Sequence, residues 1–146
     1  MKMANSDTIK LLKECDAGSK MAVTSIDDVL EYVSYEKVKQ LLVESKDHHS
    51  KLGNEIHEAL QNADSEEKEP PMMARGMSWI KTNMKLSMDN SDSMVAELIT
   101  DGCDMGIKSL YQYLNDYDGA DHEAKALCKR LIRIEETLRK DLREYL

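Results

Sequence analysis

Along the first half of the chain, apolar or small residues recur at alternating steps of three and four: Leu12, Cys15, Ser19, Ala22, Ile26, Val29 and Val33, then Val38, Leu41, Ser45, His48, Leu52, Ile56 and Ala59. That spacing keeps one face of an α-helix apolar, so two long amphipathic helices are predicted. They break near Ser34, whose hydroxyl is placed to cap the second. The second half repeats the arrangement through Ile99, Cys103, Ile107, Leu110, Leu114 and Tyr117, then Ala124, Leu127, Leu131, Ile134, Leu138 and Leu142, with Gly119 marking the turn. Between the halves, Asn62 to Pro71 is polar and ends in two adjacent prolines that a helix should not cross. Met72 to Met88 then carries a further helical stripe, Met73, Met77, Ile80, Met84 and Met88. The predicted organisation is one domain over residues 1–146, with a hairpin over 6–61, a linker and crossover helix over 62–89, and a second hairpin over 91–146.

The halves also match in letters. Cys15-Asp16-Ala17-Gly18-Ser19-Lys20 reads against Cys103-Asp104-Met105-Gly106-Ile107-Lys108. With the offset shortened by two after the turn, Leu41 falls on Leu127, His48 on Ile134, Leu52 on Leu138 and Ile56 on Leu142. A duplicated hairpin explains this. Glycine inside a helix costs about 1 kcal/mol relative to alanine, so the matching Gly18 and Gly106 are read as a close approach of the first and third helices. A crossover helix of ~15 residues covers roughly 22 Å, enough with its extended approach to carry the chain from one end of a bundle to the other.

Composition narrows the function. The chain has 146 residues with 28 acidic against 20 basic side chains, a net charge of -8 that argues against nucleic acid and anionic membrane partners. No run approaches the ~20 apolar residues needed to span a bilayer, and the start, MKMANSDTIK, lacks a signal-peptide core, so a cytoplasmic location is expected. Cys15, Cys103 and Cys128 are too few for a disulfide framework and are expected as thiols. With no Phe, two Pro and ten Met among many Leu, Lys and Glu, the chain is predicted to be all-α.

Two such hairpins, with CDAGSK in the first helix recurring as CDMGIK in the third, resemble the ferritin-like superfamily, and more narrowly its small uncharacterised bacterial members. The resemblance covers Ser6 to Leu146. It implies a ferritin-like four-helix bundle of two pseudo-two-fold-related hairpins with a long, partly helical crossover. Catalytic members hold two iron or manganese ions with two carboxylates and two Glu-x-x-His pairs. Here the residue three before His48 is Ser45, before His49 Lys46, before His57 Asn54 and before His122 Gly119. No Glu-x-x-His exists, and the predicted inward positions are Ser19, Ile107 and an apolar fourth stripe. The resemblance therefore carries the fold and no ligand residue, and the expected function is a non-catalytic binding or scaffold module without a cofactor.

Rival readings rest on particular residues. Glu44 and His48 share a helix face and are the candidate metal ligands. A degenerate di-iron or di-manganese protein would draw on Glu14, Asp16, Glu44, Asp101 and Asp104. The string His48-His49-Ser50-Lys51-Leu52-Gly53 partly resembles the His-x-x-Lys-Gly of histidine phosphotransfer bundles. A phosphoacceptor must face water, and the stripe places His48 inward and His49 outward, which makes His49 the candidate. Cys15, Cys103 and Cys128 are read as core packing on inward faces, against a rival in which the repeat-related Cys15 and Cys103 meet at the pseudo-axis and pair or bind a soft metal. Finally, Met73, Met77, Ile80 and Met84, flanked by Arg75, Lys81 and Lys85, are read as packing on the bundle with Trp79 as a buried anchor, against a rival in which they offer a surface for a partner helix, a second copy of the chain or an anionic membrane face.

Overall fold

The stripes become four α-helices in the computed structural model, which describes residues 5–63, 80, 83, 84 and 91–146. They are α1 over Ser6–Leu30, α2 over Glu36–Asn62, α3 over Asp92–Asp116 and α4 over His122–Leu142, the last running into a 3-10 turn over Arg143–Tyr145. Among the described residues there is no strand. Three helices start on a side-chain cap: Asn5 accepts from the Thr8 amide, Ser91 from that of Met94, and Asp121 from that of Ala124. The second helix does not. Its N-cap is Tyr35, which makes no side-chain cap bond, so the Ser34 hydroxyl does not act as expected. The Ser34 and Tyr35 amides instead donate to the Asp92 carboxylate, at 2.9 and 2.7 Å. Because Asp92 opens α3, this fastens the first turn of the second hairpin to the bend of the first.

The opposite end is fastened in the same manner. Asn5 Nδ2 donates to the Gly119 carbonyl, the Gly119 amide to Asp7, and the Asp121 amide to the Thr8 hydroxyl at 2.7 Å. One apolar cluster joins the first half of α1, the second halves of α2 and α3 and the first half of α4, as in Leu11, Ile56, Leu110 and Leu131. The other cluster joins the remaining halves through Ile26, Leu42, Ile99 and Leu142. Neighbours are therefore antiparallel: α1 with α2, α2 with α4, α4 with α3 and α3 with α1. Since α2 ends where α3 does, the chain must travel the length of the bundle between them. Ile80 and Met84 from this connection are buried in the second cluster, Met84 at 0% exposure. That removes both from the surface that the rival reading offers a partner; Met73 and Met77 lie outside the described residues.

Two inward faces differ from their predicted registers. On α2 the buried residues are Val38, Leu42, Ser45, His49, Leu52, Ile56 and Leu60, so Leu42 and His49 replace Leu41 and His48. Both sets advance by threes and fours, and Leu41-Leu42 and His48-His49 are tandem pairs of one type, so periodicity does not choose between them. On α4 the buried band widens to include Cys128, Ile132 and Glu135, because this helix packs on α2, α3 and also α1. The expectation that every inward residue of α4 is apolar fails at Glu135.

The glycine reading also changes. A Cβ on Gly18 would meet Leu131 Cδ2 at 3.8 Å and one on Gly106 would meet Glu135 Oε1 at 3.5 Å, both side chains of α4. These glycines do not bring the α1 and α3 backbones together. The tight approach is between α1 and α2, where a Cβ on Gly53 would stand 2.9 Å from Ser19 Oγ.

Candidate functional site: a cleft over a polar layer

Between the two apolar clusters the core turns polar. Ser45 and His49, one turn apart on α2, face Glu135 on α4; His49 is 0% exposed and Glu135 8%. The His49 Nδ1 lies 2.8 Å from the Ser45 carbonyl and donates to it, and Nε2 stands 3.5 Å from Glu135 Oε1. Burial alone would lower the imidazole pKa. The Glu135 carboxylate and the Ser45 carbonyl outweigh it and hold His49 above its ordinary value. Cys103 of α3 lines the cleft beside the same carboxylate, and burial followed by Glu135 pushes its pKa far up, so that it stays a protonated thiol. The offset that aligns Leu52 with Leu138 also aligns His49 with Glu135. It aligns His48 with Ile134 equally well, so the offset alone does not choose this pair.

Above this layer, between α1 and α3, lies a cleft of about 200 Å³. Its walls are small, Ala17, Gly18 and Ala22 on α1 facing Gly102 and Gly106 on α3, and its floor is Leu131, Leu138, Cys103 and the Glu135 side chain. The glycines make the opening. A Cβ at Gly102 would touch nothing within 4 Å, and the missing side chain of Gly106 uncovers Glu135. Glu14 and Tyr113 both line the rim; burial first, then this carboxylate, raises the tyrosine pKa. Among the described residues lining the cleft, the charged ones are Glu14 and Glu135, both acidic.

A second buried acid sits on the α1/α2 seam. Asp16 is 2% exposed, with Lys20 Nζ at 3.1 Å and His57 Nδ1 at 3.8 Å from its carboxylate. The expected ligand set is not brought together. Glu14 is in the cleft, Asp16 on the seam, Asp101 and Asp104 on the exposed face of α3, and Asp104 is paired with Arg139 at 3.0 Å. Glu44 and His48 line one open groove of about 460 Å³ between α2 and α4, together with Asp141 and with Arg130 and Arg133, whose charge opposes a cation. Among the described residues no group of three or more His, Cys, Asp or Glu is placed to hold a metal.

Two further rival readings are corrected. His49 is sealed in the core and His48 faces solvent, so the candidate phosphoacceptor has no access to a phosphodonor. Cys15 packs with Cys128 in one apolar cluster and Cys103 belongs to the other, so Cys15 and Cys103 do not meet. The neighbouring Cys128 and burial raise the Cys15 pKa well above its ordinary value. All three cysteines are buried and free.

No protein-family model and no curated protein matches the chain. A solved structure does: the crystal structure of a DUF305 fragment from Deinococcus radiodurans, at a TM-score of 0.79 and 12% identity, over 98% of this chain and 97% of that one. At this identity the likeness is one of fold. It corrects the expected membership of the ferritin-like superfamily, because the neighbour is a DUF305 fragment and nothing found supports that superfamily. The marks that suggested it, paired amphipathic hairpins and a long connection, are what any antiparallel four-helix packing with one lengthwise crossover demands of a sequence. No helix among the described residues is long and apolar enough to cross a membrane.

Proposed function

We propose that the protein is a binding module whose α1/α3 cleft receives a small molecule. The observation that carries this is the pairing of small-residue walls with a polar floor: Gly102 and Gly106 leave open a cavity that reaches the buried Glu135 and Cys103. Such apolar recesses with a few convergent polar groups are the usual form of ligand sites. Gly102 in particular sits in mid-helix, where alanine would be favoured by about 1 kcal/mol and nothing in space opposes it. The inner groups suit binding better than catalysis. Cys103 is held as a protonated thiol and a poor nucleophile, and His49 has no path to a substrate.

The test is an amide NMR titration of the full chain with small aromatic and aliphatic fragments. Shifts concentrated at Gly102, Gly106 and Tyr113, and lost in Gly102→Leu, are expected. Shifts confined to the α2/α4 groove, or unchanged by Gly102→Leu, would refute the assignment.

A further inference from the structure

The cleft carries an instruction about charge. Among the described residues its charged lining is two carboxylates, Glu14 at the rim and Glu135 at the floor, within a protein of net charge -8. A carboxylate offers about four acceptor positions. At Glu135 Oε1 faces His49 Nε2 at 3.5 Å, longer than a full hydrogen bond. Toward α3 Gly106 has no side chain to cover the same oxygen: a Cβ there would lie 3.5 Å from Oε1. A cationic donor entering between the glycines would reach an incompletely satisfied, nine-tenths-buried carboxylate in surroundings of low polarity, where such bonds are strongest. The rest of the lining is apolar or small and neutral, and a benzene-sized ring needs about 150 Å³, so about 200 Å³ leaves room for one ring or a short alkyl chain with its head group.

We propose that the α1/α3 cleft binds a small protonated amine with an apolar body, its ammonium seated on Glu135 and its body between the Gly18 and Gly102 walls. This rests on the reading of the cleft as a ligand site and adds the chemical class. An anion would face two carboxylates, and a neutral apolar molecule would leave the floor acceptors unmet.

The test is calorimetric titration of the full chain with 2-phenylethylamine and its neutral near-isostere 2-phenylethanol, at neutral pH and low salt. The amine is expected to bind at least about tenfold more tightly than the alcohol, as a charge-assisted bond implies. Glu135→Gln should bring the amine down to the affinity of the alcohol and leave the alcohol unchanged. Gly102→Leu, whose side chain enters open space, should weaken both without lowering the melting temperature. Equal affinity of the two compounds for the unmodified chain would overturn the amine assignment while the cleft stands as a site. If neither binds, both readings fail. Binding that emerges only in Met73→Ala/Met77→Ala would show the chain's own crossover to be the occupant and would also overturn the proposal. Should Glu135→Gln fail to fold, the amine-to-alcohol ratio and Gly102→Leu still decide.

Discussion

A Cβ added to Gly53 would come within 2.9 Å of Ser19 Oγ and 3.4 Å of its Cβ, whereas one added to Gly18 would meet only Leu131 Cδ2, at 3.8 Å. Both glycines are inside helices, so alanine gains about 1 kcal/mol of propensity at either. At Gly53 that gain is opposed by overlap with a buried hydroxyl pinned to the Asp16 carbonyl at 2.9 Å, and overpacking of this kind costs about 1–3 kcal/mol. Urea unfolding should therefore give opposite signs: Gly53→Ala loses about 1 kcal/mol and Gly18→Ala gains up to about 1 kcal/mol. His49 is a residue-scale test of the polar layer. Its pKa is raised in the folded protein by Glu135 and Ser45 against the effect of burial, and the unfolded value is about 6.5. The stability from its charged form is therefore fully present below about pH 6.5 and is lost as the pH rises through the higher folded pKa. The stability difference between the unmodified protein and His49→Gln should shrink as the pH rises from about 6.5 upward. A difference independent of pH would mean that His49 is neutral throughout.

At the scale of elements, the bend between α1 and α2 depends on a side chain from another hairpin. Asp92 accepts from two successive amides, Ser34 and Tyr35, where α2 has no cap of its own. Asp92→Ala should cost about 1–2 kcal/mol, as the loss of a good helix cap does, and should speed hydrogen exchange at the amides that open α2 more than at those that open α4. Local patterns in the sequence do not disclose a contact of this kind, because it joins residues far apart in the chain. They do disclose the helices themselves: the breaks near Ser34 and Gly119, and the need for a connection as long as the bundle, follow from stripes and turn residues that act locally. The rotation of α2 about its axis was not legible, since Leu41-Leu42 and His48-His49 satisfy the same period in two phases. Glu135 was hidden for a related reason. Beside Ile134 and Glu136 it reads as part of a solvated face, and only the packing of α4 on three neighbours turns it inward. Of the cleft the sequence discloses only two marker glycines, Gly18 and Gly106, whose helical cost points equally to a close helix approach and to an opening.

For the molecule as a whole, the polar layer interrupts what would otherwise be one continuous apolar core. Its members come from three helices, His49 of α2, Cys103 of α3 and Glu135 of α4, and it separates the cluster around Leu11 and Leu131 from the cluster around Ile26 and Leu142. Burying a carboxylate and an imidazole together carries a desolvation cost that their attraction repays only with good geometry, and the 3.5 Å contact, with no full hydrogen bond at Nε2, is not good geometry. If the layer existed to stabilise the fold, removing it should cost stability. If it is kept for what enters the cleft, the fold should do as well without it. Single substitutions do not decide this, because Glu135→Leu strands the imidazole and His49→Leu strands the carboxylate, and each should destabilise by several kcal/mol whichever account holds. The double substitution His49→Leu/Glu135→Leu does decide it. It strands neither partner and joins the two clusters, so its unfolding free energy should equal or exceed that of the unmodified protein, by up to about 4 kcal/mol, and the pH dependence assigned to His49 should vanish. The same variant should lose any preference of the cleft for a cation. A double variant less stable than either single one would assign the layer to structure and leave the cleft's charge without a functional reason.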